Sequence, residues 1–193
     1  MGVMSEDIAT GQAFVVAGPT AVGKGTVLRE VMARAPQCWM SISATTRSPR
    51  PGEIDGKHYY FVTDSEFDEL VSSGQMLEWA EVHGMHRYGT PRGPVEDAMA
   101  KGKTVILELD LAGARQVRES LPEAVQIFIA PPSWAELEYR LRKRGTESPE
   151  EQERRLKTAK VELAAEREFD HIVINDTVAQ ATDDILHIMG LTQ

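Results

Sequence analysis

The chain reads Gly18-Pro19-Thr20-Ala21-Val22-Gly23-Lys24-Gly25-Thr26 directly after the apolar run Ala13-Phe14-Val15-Val16-Ala17. A buried strand, a glycine-bounded turn and a helix opening near Gly23 make a loop for polyphosphate. Its backbone N–H groups and the helix N-terminus surround the anion, and a lysine reaches the outer phosphates. Gly18, four residues and then Gly23-Lys24 match that spacing. The next position, normally a Ser or Thr that meets Mg²⁺, is Gly25, and the hydroxyl follows at Thr26. A plain surface turn is the alternative, and a strand before with a helix after speaks against it. A nucleoside triphosphate site is therefore expected.

At 193 residues the chain can build one sizeable core with one or two insertions. Its formal charge of −9 argues against a general nucleic-acid or membrane-surface binder, so any anion site must come from clustered Arg and Lys. Cys38 is the sole cysteine, which rules out an intramolecular disulfide and fits a reducing cytoplasm. Met1–Gln12 shows no basic region followed by an apolar one, and no apolar run is long enough for a bilayer. A cytoplasmic α/β protein is expected, with residues 1–10 a flexible N-terminus.

Strands are expected at Gln12–Ala17, Trp39–Ile42, Thr104–Leu109, Val125–Ile129 and Ile172–Ile174. They alternate with helices over Lys24–Ala35, Leu111–Leu121 and a last one capped by Thr177 with Gln180, which predicts a parallel sheet with helices on both faces. Two stretches interrupt this core, Ser43–Gly89 and Ser133–Glu168. The first opens with Ser43–Asp55, too polar and Pro/Gly-rich for an ordinary core segment. It continues with a strand at His58–Val62, a Thr63/Glu66 capping box opening a helix that ends at Gly74, a strand at Met76–Val82 and a short piece near Arg87–Tyr88. A helix with Pro91 in its first turn then leads back to the core. In the second stretch, Ser133/Glu136 opens one helix and Ser148-Pro149 with Glu151 opens the next. Both are highly charged and are expected to project from the core.

Arg47 and Arg50 lie in a stiff, Pro-bounded loop, where guanidinium forks suit phosphate oxygens and Tyr59 adds a hydroxyl. A solvated basic loop is the alternative. Glu78 interrupts an apolar strand, and Tyr88-Gly89-Thr90 supplies two hydroxyls. A carboxylate with a hydroxyl suits guanine, which offers N1–H and N2–H₂ donors, although the strand alone equally allows Glu78 a solvent face. Glu108 and Asp110 end a buried strand on one side, where Mg²⁺ or substrate donors would sit; simple solvation of the strand end is the other reading. Arg140 and Arg144 lie four apart on one helix face, with Arg155 in the next helix. By spacing alone, a solvated charged face, with Glu136 pairing Arg140, is the better reading. His83 and His86 lack further ligands at metal spacing, and no metal is expected there.

Taken together, these residues resemble the guanylate kinase family, cytoplasmic enzymes that phosphorylate GMP with ATP. The resemblance runs from about Gln12 to Ile188. It is carried by Gly18–Thr26, Ser41–Phe61, Glu78-Trp79, Tyr88-Gly89-Thr90, Ile129–Ser133, Arg144–Glu147 and Val173-Ile174-Asn175.

The resemblance implies a P-loop NTPase-type α/β fold within 11–190. The core is 11–42, 90–132 and 169–193, a small mixed β GMP-binding insertion covers 43–89, and a helical lid covers 133–168. It places ATP on Gly18–Thr26 and Asn175, and the GMP phosphate on Arg47, Arg50, Glu53, Tyr59 and Tyr88. Guanine falls to Ser43, Glu78, Thr90 and Asp110. Lys24, Arg47 and the lid arginines Arg140, Arg144 and Arg155 serve catalysis, and Mg²⁺ arrives with ATP near Thr26 and Glu108. Gly25 after the lysine, and Glu108 where many relatives carry Asp, are departures that bear on Mg²⁺. A catalytically inactive binding module of this fold, or a kinase of another phosphorylated acceptor such as a ribose bisphosphate, are the competing expectations. Lys24 and the three arginines argue against the first, Glu78 and Thr90 against the second. Neither nucleic acid nor membrane is an expected partner, and monomer or homo-oligomer stays open.

Overall fold

A computed structural model describes residues 10–82, 84–143 and 148–192. Its strands are β1 (Ala13–Ala17), β2 (Cys38–Met40), β3 (Ala44–Thr45), β4 (Tyr60–Phe61), β5 (Met76–Val82), β6 (His86–Pro91), β7 (Thr104–Glu108), β8 (Val125–Ala130) and β9 (His171–Ile174). The helices are α1 (Lys24–Arg34), α2 (Asp64–Ser72), α3 (Arg92–Ala100), α4 (Leu111–Ser120), α5 (Trp134–Lys143), α6 (Pro149–Ala164) and α7 (Val178–Ile188). Five strands form a sheet in the order β2-β7-β1-β8-β9, and four form a second sheet in the order β4-β3-β6-β5. The chain divides into two compact units, one holding Gln37–Ile106 with the segment ending at Ala13, the other Phe14–Pro36 with everything from Leu107.

In the second unit, β1 pairs with β8 and β8 with β9, both parallel. The apolar runs of β1 and of β8 from Ile127 onward are what strands covered on both faces require. Val15, Val16, Ile127, Phe128 and Ile129 are all buried, each stabilising the fold by about 1.5–3 kcal/mol. β9 carries two further isoleucines, Ile172 and Ile174, yet both are 45% exposed, and only Val173 faces the interior. The strand expected to lie in the core is therefore an edge, covered on one face only.

The α5–α6 pair buries more than its charge suggests. Its apolar residues are few, but Leu137 and Leu141 lie four apart and Leu156 and Ala159 three apart, so each pair forms a stripe, and all four are buried. Ser148 accepts from the Glu151 N–H and Pro149 occupies the first turn of α6, as the spacing predicts. Ser133 accepts from the Glu136 N–H, while the Glu136 carboxylate accepts from Arg140 instead of closing the box.

In the first unit, β2 and β7 pair in parallel, β3 pairs in parallel with β4 and antiparallel with β6, and β5 and β6 form an antiparallel pair. The polar segment after Ser43 contains β3, whose Ala44 and Thr45 are fully buried. Small size admits Ala44, and the Thr45 hydroxyl is satisfied by the Arg47 N–H at 3.2 Å, which removes the cost of burying it. β6 runs on to Pro91, longer than expected. With ψ at 135°, Pro91 is extended and caps α3 instead of entering it. The Thr63–Glu66 capping box of α2 is present in full, and Gly74 follows α2 with φ at 70°.

Candidate active site

The glycine-bounded loop leaves β1 and enters α1 as expected, and its backbone explains two of its glycines. A Cβ on Gly18 would lie 2.4 Å from the Ile129 carbonyl oxygen. Gly23, the residue before α1, has φ at 94°, and a Cβ there would lie 2.8 Å from Asn175 Nδ2. Ala21 also adopts a positive φ, 67°, a conformation that costs a non-glycine residue about 1–2 kcal/mol and is enriched at ligand sites. Gly25 is under no such restriction: a Cβ would meet only Glu108 Oε1, at 3.9 Å.

The loop opens onto a cleft of about 600 Å³, lined by Gly18–Ala21, Gly23–Thr26, Arg29, Glu108, Asp110 and Glu162. Val22 faces the other way and is buried. Its carbonyl accepts from Asn175 Nδ2 at 2.7 Å and from an Arg140 Nη at 3.4 Å. Asn175, only 3% exposed, thus braces the loop from behind. Lys24 Nζ donates to the Gly18 carbonyl at 3.4 Å and the Leu109 carbonyl at 3.1 Å. Burial lowers its pKa, against the opposing pull of Glu108, Glu162 and Asp110. Neutral carbonyls are weak partners for an ammonium beside a phosphate site, so these contacts are readily exchanged for phosphate oxygens.

Glu108 and Asp110 reach this cleft together. Asp110 also caps α4, its Oδ1 accepting from the Gly113 N–H at 2.7 Å. Thr26 Oγ1 accepts from Arg29 at 3.2 Å. Thr26 and Glu108 are oxygen donors of the hard kind that Mg²⁺ takes alongside phosphates and waters, so the residues present fit that ion.

Arg140 is not the solvated residue that its spacing suggests. Besides Glu136 at 2.8 Å it donates to the Asn175 carbonyl at 3.2 Å, which holds its guanidinium against the back of the loop. Arg155 lies on α6, 3.9 Å from Glu151. Arg144 and His83 lie outside the described residues.

The first unit gathers a second set. Arg47 donates to Glu53 Oε1 at 2.9 Å and to the Ser48 carbonyl at 2.7 Å, and its guanidinium stands 5.4 Å from the Tyr59 ring centroid. Tyr59 and Tyr88 meet edge to face at 6.0 Å. Glu53 also accepts from the Arg50 N–H at 2.7 Å. The Arg47 and Arg50 hydrogen bonds, in that order, hold its carboxyl below the ordinary carboxylate range, and Arg47 is raised in return. The Arg50 side chain is exposed, and Ser43 presents its carbonyl to the Tyr60 N–H at 2.9 Å. Glu78 and Thr90 face each other across β5 and β6, with Thr90 Oγ1 donating to Glu78 Oε1 at 2.7 Å. Glu78 is half-buried, not on a solvent face.

Two cleft residues escaped the sequence reading. Arg29 sits one helical turn past Thr26. Glu162 is 9% exposed and accepts from the Thr20 N–H at 3.3 Å. The only sequence signal for Glu162 is its place three residues beyond Ala159, on the buried stripe of α6.

The family model described as guanylate kinase matches residues 10–190. Guanylate kinase from Leifsonia xyli subsp. xyli is 58% identical over 91% of this chain and 69% of its own length. That of Nocardia farcinica is 53% identical over 98% of both. The crystal structure of guanylate kinase from Anaplasma phagocytophilum superposes with a TM-score of 0.69 at 34% identity, covering 94% of this chain and 86% of that one. A glycine-bounded strand–loop–helix, an arginine–tyrosine cluster and a carboxylate–hydroxyl pair agree with these likenesses: the chain belongs to the guanylate kinase family.

Proposed function

We propose that this protein transfers the γ-phosphoryl group of ATP to the phosphate of GMP, reversibly, giving ADP and GDP in purine nucleotide recycling in the cytoplasm. The observation that carries the reading is the intact phosphate loop, with Lys24 Nζ held by the neutral Gly18 and Leu109 carbonyls and able to move onto phosphate. A binding module without catalysis has no need of such a lysine.

In the reaction a GMP phosphate oxygen forms a bond to the γ-phosphorus, and the bond to the β,γ-bridging oxygen breaks, leaving the electron pair on ADP. The attacking oxygen is already ionised at neutral pH, so no side chain need remove a proton. Catalysis then consists of positioning and charge neutralisation. Loop N–H groups from Gly18–Thr26 orient the donor phosphates, Lys24 neutralises charge on them, and Arg140, Arg144 and Arg155 serve the transferring group from the lid, 133–168. Asn175 keeps the loop in shape. Thr26 and Glu108 would hold Mg²⁺, which would supply further neutralisation of the donor oxygens.

For the acceptor, Arg47, Arg50, Tyr59 and Tyr88 of the insertion 43–89 take the GMP phosphate, with Glu53 aiming Arg47. Glu78 and Thr90 read guanine: Thr90 donates to Glu78 Oε1 and so aims the carboxylate toward N1–H and N2–H₂ of the base. Ser43 and Asp110 complete that set. A buried polar site of this kind discriminates by about 10⁴ or more against a base with the wrong donors. A coupled assay of ADP release with ATP against GMP, dGMP, AMP and UMP tests the reading. GMP is expected to be preferred over AMP and UMP, and a preference for AMP or a sugar phosphate overturns it.

A further inference from the structure

Among the described residues, the cleft that receives the donor triphosphate is lined by three carboxylates, Glu108, Asp110 and Glu162, beside Lys24 and Arg29. A carboxylate beside a polyanion site opposes binding unless it has a task of its own. Mg²⁺ would account for Glu108, and the cap on α4 accounts for Asp110. Glu162 has neither task. It is buried, it accepts a hydrogen bond from the Thr20 backbone N–H, a loop amide of the set that such loops offer to phosphate, and it exerts an electrostatic pull on Lys24. A carboxylate on a loop N–H beside the loop lysine is the arrangement a phosphate oxygen would adopt. Burial also raises its pKa, with the Thr20 N–H and Lys24 opposing, as befits a charge placed where it is poorly solvated.

We propose that Glu162 is an internal occupant of the phosphate loop, a carboxylate that stands in for a donor phosphate oxygen before the donor arrives and is displaced when ATP binds. The inference rests on the reading of the loop as the ATP site. Its consequence reaches the lid. Arg155 lies seven residues before Glu162, two turns away on the same side of α6, so release of the Glu162 carboxylate unties from the loop the helix face that carries a catalytic arginine. Arrival of the donor and movement of Arg155 are thereby one event. Glu162 is a positioning residue in this scheme and touches neither substrate in the transition state.

Replacement by an uncharged isostere separates displacement from support. Glu162→Gln keeps the shape and an acceptor for the Thr20 N–H but removes the charge that competes with phosphate. Binding of ATP and of tripolyphosphate, without acceptor, is measured by titration calorimetry on wild type and variant, alongside KM for ATP and for GMP. The expected result is at least about threefold tighter ATP and tripolyphosphate binding, with KM for GMP unchanged. Should the variant lack a cooperative thermal transition, Glu162→Asp carries the test, since a carboxylate withdrawn by one methylene competes less and also binds ATP more tightly. Unchanged or weaker ATP binding in a folded variant overturns the proposal, because a glutamate that remains in place, neutral or bracing the loop, gives those results. Wild-type turnover of GMP in the same experiments keeps the outcomes distinct: no turnover would sink the kinase reading, whereas turnover with ATP binding unaltered by Glu162→Gln sinks only the role of Glu162.

Discussion

Thr90 Oγ1 donates to Glu78 Oε1 at 2.7 Å, and the two residues are direct partners in the register of β5 and β6. Thr90 is only 1% exposed, so a rigid strand holds the hydroxyl and the hydroxyl aims the carboxylate. Aiming matters because a carboxylate that swings freely reads a base edge poorly.

Thr90→Val keeps the shape and removes the donor. KM for GMP is expected to rise about tenfold, the equivalent of losing a hydrogen bond to a charged group, with kcat little changed and KM for ATP untouched. Steady-state kinetics with each substrate varied in turn checks this. An equal rise in both KM values would place the pair outside base recognition.

Lys24→Ala removes the loop's cation while leaving its backbone amides. A loss of about 10²–10³ in kcat is expected, the size typical of removing one group that stabilises developing charge. Rates at saturating ATP and GMP measure it. Near-full turnover would mean that the loop is not the donor site.

Gly23 and Gly25 are expected to respond in opposite ways. Gly23→Ala places a side chain at φ 94° and 2.8 Å from Asn175 Nδ2, and a loss of about 1–2 kcal/mol follows from the left-handed backbone alone. Gly25→Ser meets open space before Glu108 and lies inside α1, where leaving glycine is expected to stabilise by up to about 0.5 kcal/mol. It also returns a hydroxyl to the position after the lysine without loss of activity. Thermal melts of the two variants provide the comparison.

Asn175→Ala strips the Val22 carbonyl of its shortest hydrogen bond in a buried setting. The expected loss is about 1–3 kcal/mol of stability, read by denaturant unfolding, with a raised KM for ATP because the loop is no longer braced.

Glu53 is expected to make GMP binding sensitive to acid through its pairing with Arg47. Its folded pKa is depressed, so the Glu53 contribution is present above the ordinary carboxylate value of 4.5 and is lost as pH falls through the lower folded value. Protonation then releases Arg47 from its 2.9 Å partner. KM for GMP is expected to climb on that acid limb in wild type, and Glu53→Gln is expected to show the raised KM at neutral pH with the limb absent.

Much of this was legible in local pattern. The strand–loop–helix run at Gly18–Thr26, the Thr63–Glu66 box and the Ser148-Pro149 start of α6 depend on neighbours within a few residues, so spacing alone reports them. Burial judged from residue type held for β1, β7 and β8 and failed at β3 and β9. Ala44 is interior because it packs with Phe67 and Met76, and Ile172 and Ile174 are exposed because they lie on the uncovered face of the edge strand β9.

By itself the sequence determined that a glycine-bounded loop of phosphate-loop spacing joins the first strand to a helix, and that arginines, tyrosines and a carboxylate–hydroxyl pair sit downstream, because residue type and short spacing carry that pattern. Only the tertiary structure decided that Glu162, 142 positions from Thr20 along the chain, accepts its amide. Only it showed Arg140 resting on the Asn175 carbonyl instead of in solvent. The physical reason is range: a loop amide or a guanidinium takes whichever oxygen the fold brings within about 3 Å, and for these two groups that oxygen comes from a distant helix or strand end. The phosphate-loop spacing of Gly18–Thr26 is written in the loop, and the carboxylate that meets its Thr20 amide is written in the packing of α6.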